Sequence, residues 1–425
     1  MIFCIFLQCG EFDEVRDDSL DGFEQRRFEL LSSARGTPYE KQKTKLVVDF
    51  VSFLETHSSA EISIRTARSP VSATPEDVIK FLFSRDSKGR TQVHVSGCAH
   101  IGLPGFHSCG CPVRLAAGTI NQNIGKLRAF FRDIGRSRPY APGDPLGNPC
   151  ASPAVLQWDK ASAAEQRRAR ITPHQAPPIF SEHLRFIVET IRGRIAISSA
   201  PFIPERFALY RDLAFFLVQW FSGDRAHDLG SSLGREVTRL GDGSLLFKHV
   251  IGKTIRQSDG DLIVVPRVPE ELALCPVRAV EEYVDLCKLN GIDVVNDFLF
   301  RPLKMSPSGP APATPFSSSN ATKRLRLYLK NAPFDSSTFT AHGFRAGCAI
   351  TLLLLDCSPE AVKSHCRWAS DRVFSHYTKV EKVSRLEGTA AALRDGVSPA
   401  GVRSADDVAE FYSALNSDPL RSRAF

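Results

Sequence analysis

The stretch from Thr340 to Lys379 constrains the fold of this 425-residue chain more strongly than any other part of it. It opens with His342 and Arg345, and a spacing of three residues places two side chains on one face of a helix. The apolar run over 349–355 follows directly and is typical of the buried body of such a helix. We therefore expect one core helix that carries a histidine and an arginine near its start.

A second, shorter helix is predicted after that run. Ser358 is its expected N-cap, Pro359 its first residue, and Cys366 lies near its end. Trp368 follows, and Tyr377 stands nine residues further along the chain. A histidine, an arginine, a tryptophan and a tyrosine in this order can meet around one phosphate.

This block resembles the C-terminal active-site region of the tyrosine recombinases, the phage-integrase family, in which H-x-x-R precedes a His or Trp and then a nucleophilic Tyr. An earlier family landmark, an arginine in a G-x-R-x-x-[ED]-L setting, is matched by Arg225 within residues 223–229. A lysine on a β-hairpin ahead of a V-P strand end is matched by Lys253 and by Val265-Pro266. The landmarks occur in order across roughly half of the chain.

The resemblance implies a site-specific recombinase or integrase that cuts and rejoins DNA through a covalent 3′-phosphotyrosine. Arg225 and Arg345 would bind the non-bridging phosphate oxygens, because guanidinium groups match them bidentately. Tyr377 is the expected nucleophile and His342 the acceptor of its proton, since a phenol with a pKa of about 10 attacks poorly while protonated. Lys253 is the expected general acid for the leaving 5′-oxygen.

Three further expectations accompany this chemistry. Trp368 would pack on the helix that bears the tyrosine and donate its indole N–H to the phosphate, while Asp228 would orient neighbouring side chains. Lys248 and Arg256 compete with Lys253 for the role of general acid. The resemblance implies that catalysis needs neither a metal nor a nucleotide cofactor.

The chain departs from the family pattern in two places. Gly223-Asp224-Arg225 replaces the commoner G-L-R and puts a carboxylate beside the arginine. Cys366-Arg367-Trp368 stands where most members have Leu-Gly-His. Gly147-Asn148-Pro149 and a cysteine-rich insert are more similar to recombinases of eukaryotic mobile elements, of the Crypton or DIRS type.

That insert, residues 96–112, lies between two helices predicted in the N-terminal half of the chain, which begin near residues 75 and 119. Cys98, His107, Cys109 and Cys111 are candidate ligands of a structural zinc ion, because a glycine-rich loop can wrap four N and S donors around a tetrahedral metal. The C-x-C spacing is not that of a standard zinc finger. A loop with incidental thiols is the alternative.

Hydrophobic periodicity predicts a mainly α fold with a small antiparallel β-sheet, an α+β chain with a helical core-binding domain and a recombinase catalytic domain. Thr119 is the expected cap of the third helix of the first domain. The predicted divisions are a tail, the helical domain, a linker, the catalytic domain and a second tail, at 1–40, 41–150, 151–178, 179–385 and 386–425. The candidate DNA-binding residues are Asn121, Lys126 and Arg128 on the third helix and Lys323 and Arg324 on a later basic helix.

Composition narrows the class of protein further. No apolar run approaches the roughly 20 residues that span a bilayer, so we expect no membrane partner and an intracellular protein, nuclear if the source is eukaryotic. Eleven cysteines are then expected to be buried thiols or metal ligands rather than disulfides. The net charge of +7, with a basic excess over residues 301–379, favours double-stranded DNA as the partner.

The resemblance further implies a homo-oligomer, a tetramer, on DNA. Two alternatives stay open at this point. A type IB topoisomerase uses the same chemistry but relaxes DNA without exchanging strands between partners. A domesticated DNA-binding protein would keep the fold and lack catalysis.

Overall fold

The structure is a computed structural model. It describes residues 38–56, 70–103, 105–171, 176–198, 203–250, 261–302, 305–306, 309–310, 314–368, 370–371 and 374. The chain divides after Pro173 into two compact units. The predicted mainly α fold with small antiparallel sheets is confirmed. Among the described residues, no helix is both long enough and apolar enough to cross a membrane.

Unit 1 is a helical domain with one short antiparallel ladder. Its helices are α1 (Pro38–Thr56), α2 (Pro75–Asp86), α3 (Ala117–Asp133) and α4 (Pro153–Arg168), its 3-10 turns are Pro70–Ser72 and Pro149–Ala151, and its strands are β1 (Thr91–Gln92) and β2 (Val113–Arg114). The core is aromatic: the ring of Phe50 lies edge-on to those of Phe81 and Phe131, with centroids 5.1 and 5.9 Å away. The pair β1–β2 closes the base of the cysteine-rich insert.

The helix starts of unit 1 test the capping predictions. Thr74 and Asp77 form a reciprocal capping box at the start of α2, of which Pro75 is the first residue. Thr119 is not the cap of α3, and that prediction was wrong. The helix starts earlier, because the side-chain oxygen of Gln166 on α4 accepts the Ala117 N–H at 2.9 Å. A partner helix therefore supplies the cap that the local sequence lacks.

Residues 153–168, which the sequence analysis assigned to a linker, form helix α4 of unit 1. Ser152 caps this helix by accepting the Val155 N–H at 3.2 Å, and Pro153 is its first residue. Val155 is fully buried in the same core as Phe50. Pro153 is therefore a helix-start signal and not part of a connector.

Unit 2 is also mainly helical. Its helices are α5 (Ser181–Ile197), α6 (Ile203–Ser222), α7 (Ala226–Gly230), α8 (Pro276–Leu289), α9 (Ser318–Tyr328), α10 (His342–Leu354) and α11 (Pro359–His365), with a 3-10 turn at Gly234–Glu236. Its strands are β3 (Val237–Arg239), β4 (Leu245–His249), β5 (Asp261–Val265), β6 (Met305–Ser306) and β7 (Gly309–Pro310). The first three form an antiparallel sheet in the order β3–β4–β5, and β6 pairs with β7.

Helix α6 is the centre of unit 2. It is apolar on most sides and packs on α8 through Phe207 and Tyr283, and on α10 through the stacked rings of Phe216 and Phe344. The predicted start of α11 is confirmed, since Ser358 accepts the Ala361 N–H at 3.2 Å. Because the rings of Phe216 and Phe344 stack, the carboxyl end of α6 lies against the amino end of α10.

Candidate active site and metal centre

The corner after α6 presents the first candidate arginine. Gly223 has a φ of +61°, which residues with a Cβ rarely adopt, and an added Cβ would lie 3.1 Å from the Cys366 sulfur. Arg225 follows as the residue before α7. Its guanidinium donates to the Asp228 carboxylate at 3.3 Å, and its side chain is 27% exposed.

Arg345, in the first turn of α10, joins three segments of unit 2. Its Nη1 donates to the Gly223 carbonyl at 2.6 Å, and its Nη2 donates to the Cys366 carbonyl. The guanidinium carbon also lies 5.3 Å from the ring centroid of Trp368, within the range of a cation–π contact. The structure thus brings Arg345 and Trp368 together with the corner that precedes Arg225.

The arginine and the histidine at the start of α10 differ in their exposure to solvent. Arg345 is only 1% exposed, whereas His342 at the start of the same helix is exposed, and its backbone N–H donates to Thr340 Oγ1 at 3.3 Å. A phosphate can reach the Arg345 guanidinium only if the groups that cover it move. Lys253 and Tyr377 lie outside the described residues.

A buried polar network that the sequence analysis missed surrounds Asp224. Its carboxylate contacts His249 Nε2 at 2.9 Å and the guanidinium of Arg367, and the other His249 nitrogen lies 3.2 Å from Ser232 Oγ. Asp224 and His249 are each 1% exposed. His249 ends strand β4, so the network connects the small sheet to the arginine corner.

The candidate DNA-binding side chains of α3 all have partners inside unit 1. Asn121 donates to Asp159 at 2.8 Å and Lys126 to Gln42 at 2.9 Å, both at exposed positions. Arg128 donates to the Cys150 carbonyl at 2.9 Å and is half-buried. Lys126 and Asn121 can exchange these exposed contacts for phosphate at little expense.

On α9 the two candidates differ. Lys323 is exposed. Arg324 instead donates to the buried carboxylate of Asp212 and to the Tyr328 hydroxyl. That hydroxyl donates to Asp212 at 2.6 Å, and burial raises the pKa of Tyr328 well above its usual value. The charge of Arg324 is therefore used within unit 2.

The insert of unit 1 forms a compact Cys₃His cluster. Cys98, Cys109 and Cys111 are joined by His94, and the ligand atoms of the four residues lie within 4.8 Å of one another. His107, predicted as the fourth ligand, is not in this group, and His94 stands in its place. Its ring stacks on His100 with centroids 4.5 Å apart. His94 lies two residues beyond β1, outside the glycine-rich stretch that drew attention to the others.

Side-chain chemistry and geometry both fit zinc. In a tetrahedron with Zn–S near 2.3 Å and Zn–N near 2.0–2.1 Å, sulfur and nitrogen ligands stand about 3.5 Å apart. The His94 Nδ1 lies 3.3 Å from the Cys109 sulfur and 3.6 Å from the Cys98 sulfur. Burial lowers the pKa of His94, with the neighbouring histidines acting in the same direction, so its imidazole is neutral and able to bind a metal at pH 7.

Gln92 holds the C-x-C segment in place. Its side-chain amide donates towards the His107 and Cys109 carbonyls at 3.2 Å each and accepts the His107 N–H at 2.7 Å. It also approaches the Cys111 carbonyl at 3.4 Å. One buried side chain on β1 thus fixes the backbone of both neighbouring thiols, which explains how an awkward spacing can converge on one point.

Comparison with known proteins identifies the family of the chain. The ALOG domain matches residues 31–160. Arabidopsis thaliana Protein LIGHT-DEPENDENT SHORT HYPOCOTYLS 5 is 33% identical over 144 residues, which is 34% of this chain and 72% of that protein. The chain belongs to the ALOG-domain family. Rice Protein G1-like7 is also 33% identical, over 138 residues, and the chain spans 58% of its length.

The ALOG match ends within α4, so every candidate active-site residue lies beyond it. Among solved structures, the chain is similar to XerH site-specific recombinase bound to a palindromic difH substrate, with 15% identity, 80% and 75% of the two chains covered, and a TM-score of 0.47. It is also similar to the Tn1549 transposon integrase in complex with transposon right end DNA, at 12% identity, 82% and 92% coverage and a TM-score of 0.45.

Proposed function

We propose that the chain is a DNA strand transferase of the tyrosine recombinase type, with its catalytic site in unit 2. The observation that carries the proposal is the hydrogen bond from Arg345 to the Gly223 carbonyl, two residues before Arg225. It joins the two segments that bear the candidate phosphate-binding guanidiniums, and Trp368 covers the same point. These residues come from distant parts of the sequence, and their convergence supports a single site.

The chemistry follows from the residue types. Arg225 and Arg345 neutralise the charge that grows on the non-bridging oxygens when the phosphorus becomes five-coordinate. Tyr377 attacks and transfers its proton towards His342, the 3′-phosphotyrosine bond forms, and the 5′-oxygen leaves with a proton from Lys253. A free 5′-hydroxyl reverses the step on the same or another strand. Asp228 keeps Arg225 oriented through the contact at 3.3 Å.

We assign duplex binding to unit 1 and to the exposed basic residues of α9. Asn121, Lys126 and Arg128 lie on one helix; the charges of Lys126 and Arg128 suit phosphate contacts, and the Asn121 amide can donate a hydrogen bond to a phosphate oxygen. A zinc ion held by His94, Cys98, Cys109 and Cys111 would fix the insert beside that helix in sequence. We also propose that the protein acts on DNA as a homo-oligomer, in the nucleus if its source is eukaryotic, and that it derives from a mobile element of the Crypton or DIRS type.

A DNA-binding protein without strand transfer is the second candidate function. One observation favours it: Arg345 is 1% exposed and donates to two backbone carbonyls. An arginine used in this way can serve as a structural cross-link. Its burial would then be permanent, whereas strand transfer requires it to become accessible when DNA binds.

Trapping on a nicked suicide duplex separates the two functions. The full chain should form an adduct that survives SDS, because the cleaved end diffuses away and religation cannot occur. Tyr377→Phe should abolish the adduct, while Tyr39→Phe, an exposed tyrosine of α1, should leave it unchanged. Replacement of Arg225 by Ala should lower the cleavage rate by about 10²–10³-fold, as for the loss of one charge-stabilising donor.

The outcomes assign the function directly. An adduct that persists in Tyr377→Phe would place the nucleophile elsewhere and refute the proposed site. Tight duplex binding without any adduct, on substrates of varied sequence, would establish the DNA-binding alternative. Relaxation of supercoiled DNA with religation to the original strand would indicate topoisomerase activity instead of recombination.

A further inference from the structure

Two of the residues that depart from the recombinase pattern, Asp224 and Arg367, contact each other. Asp224 stands where that pattern commonly has an apolar residue, and Arg367 stands where it commonly has glycine. They are separated by more than a hundred residues in sequence, yet the Arg367 guanidinium forms an ion pair with the Asp224 carboxylate. The side chains are 11% and 1% exposed, so this is a buried pair.

The backbone at Arg367 explains why glycine would otherwise be favoured there. Its φ is +52°, in the left-handed region that a residue with a Cβ adopts at an energetic penalty. The turn of which it is part follows α11, and its N–H donates to the Ser364 carbonyl at 3.0 Å. An arginine persists at such a position only if its side chain makes a contact that offsets the backbone penalty.

The pair lies between the two sides of the candidate active site. Asp224 immediately precedes Arg225, and Arg367 immediately precedes Trp368. The neighbouring carbonyls of Gly223 and Cys366 are the two acceptors of Arg345. Two parallel cross-links therefore join the same two segments, one through the Arg345 guanidinium and one through the Asp224–Arg367 pair.

We infer that Asp224 and Arg367 are a mutually compensating pair of positioning residues, which sets the Arg225 corner relative to the Trp368 turn. The inference rests on the proposed strand-transfer function for what is positioned, and on the contact geometry for the pair itself. His249 is a second partner of Asp224, through its Nε2 at 2.9 Å. The other ring nitrogen of His249, Nδ1, lies 3.2 Å from Ser232 Oγ. The carboxylate is thus shared between the turn and the end of β4.

Burial lowers the pKa of Arg367 to about 10, so its side chain is still charged at neutral pH. Removing one member of a buried ion pair leaves the other charge unpaired, whereas replacing both with apolar or small residues is often close to neutral. The pair therefore makes a specific prediction for a double-mutant cycle. Each single change should be harmful, and replacing Arg367 should reverse much of the harm that replacing Asp224 does.

The experiment compares Asp224→Leu, Arg367→Gly and the double variant in the full chain. Asp224→Leu should raise the unfolding equilibrium constant by about a hundredfold or more, because Arg367 is left buried without its carboxylate. Arg367→Gly should raise it by about tenfold, since glycine relieves the left-handed backbone and His249 still contacts Asp224. The double variant should lie within about tenfold of the wild type, far below the product of the two single effects. Asp224→Asn, which keeps the shape, replaces Asp224→Leu if the latter does not fold.

A second measurement tests positioning separately from stability. Orthovanadate becomes five-coordinate, like the phosphorus in the transition state, when an oxygen nucleophile adds to it, and it should raise the Tm of the wild type by binding between the guanidiniums. The folded double variant should lose at least half of this rise and form the DNA adduct at least tenfold more slowly, with an unchanged duplex Kd. Arg192→Ala, which breaks an ion pair with Glu282 between α5 and α8, is the matched control and should lower stability without changing either readout.

The possible results distinguish failure of the inference from failure of the proposed function. Additive single effects would show that the pair does not exist as a compensating unit. A rescued double variant with a wild-type vanadate response and adduct rate would make the pair merely structural and overturn the positioning role. If the wild type forms no adduct but binds vanadate, strand transfer fails while the positioning test still stands. If it does neither, the proposed function and the positioning role are both refuted, and the unfolding cycle alone decides whether the compensating pair exists.

Discussion

Replacing His94 by Ala is the sharpest test of the metal centre, because His107 was the residue favoured by the sequence. The wild-type chain should hold one zinc ion bound by Cys98, Cys109, Cys111 and His94. His94→Ala removes the single imidazole of that set. His107→Ala, which removes a ring stacked on His100, should leave the metal in place.

The expected magnitude follows from the geometry. The nitrogen–sulfur distances of 3.3 and 3.6 Å bracket the value of about 3.5 Å for tetrahedral zinc, so the cluster needs little rearrangement to bind the ion. Structural zinc sites contribute roughly 10–16 kcal/mol of binding free energy. One of four ligands accounts for about 3 kcal/mol or more of this, which corresponds to a loss of affinity of over a hundredfold.

Metal content after dialysis against a graded chelator measures this loss directly. Cobalt substitution adds a readout of geometry, because three thiolates and one imidazole give an intense tetrahedral spectrum that His94→Ala should weaken and His107→Ala should preserve. The helical core around Phe50 lies outside the insert, so far-ultraviolet circular dichroism should remain similar in both variants. Loss of zinc in His107→Ala together with retention in His94→Ala would refute the assignment.

Three further predictions concern stability. Gly347→Ala should lower the free energy of unfolding in urea by about 3 kcal/mol or more, because the added Cβ would lie 1.9 Å from the Ile179 carbonyl oxygen. Gly193→Ala, on α5 with open space around it, should leave that free energy unchanged or raise it. Burial lowers the pKa of His365, so the unfolded chain binds more protons than the folded chain below about pH 6.5. The free energy of unfolding should therefore fall as the pH drops from about 8 to about 5.5, and it should fall less steeply in His365→Gln. Phe50→Ala should lower the stability of unit 1 by about 3–5 kcal/mol, measured by thermal unfolding, and wild-type stability would show that the core is misassigned.

Local signals in the sequence predict where some of the helices start. Ser358-Pro359 and Thr74-Pro75 are caps whose hydrogen bonds close within four residues, so the sequence alone contains both partners. The start of α3 was not predictable in this way, because its cap, Gln166, is 49 residues distant. Ser152-Pro153 carries the same local signal as these two caps, although the segment was predicted to be a linker.

Residues of the candidate site were likewise predicted where a sequence motif marks them and missed where only a contact distant in sequence does. Arg345, Trp368 and Arg225 were found because a resemblance supplied their order, and the structure then revealed what joins them. His94, Gln92 and the Asp224 network were missed, since each acts through a contact across sequence rather than through a motif. Spacing identifies residues on one element, whereas the partner of a buried charge is fixed by packing.

The hydrogen bond from Arg324 to Asp212 affects how many counterions the protein should release when it binds DNA. A cation releases a phosphate counterion only if its charge is available to the backbone, and each such contact steepens the dependence of log Kobs on log salt by about 0.9. Arg324 already donates to Asp212 inside the fold, and Asp212 also accepts from Arg211, so Arg324 would have to give up a buried contact to reach a phosphate. For a duplex lying along α9, Lys323 would therefore contribute to the slope of log Kobs against log salt, whereas Arg324 would not.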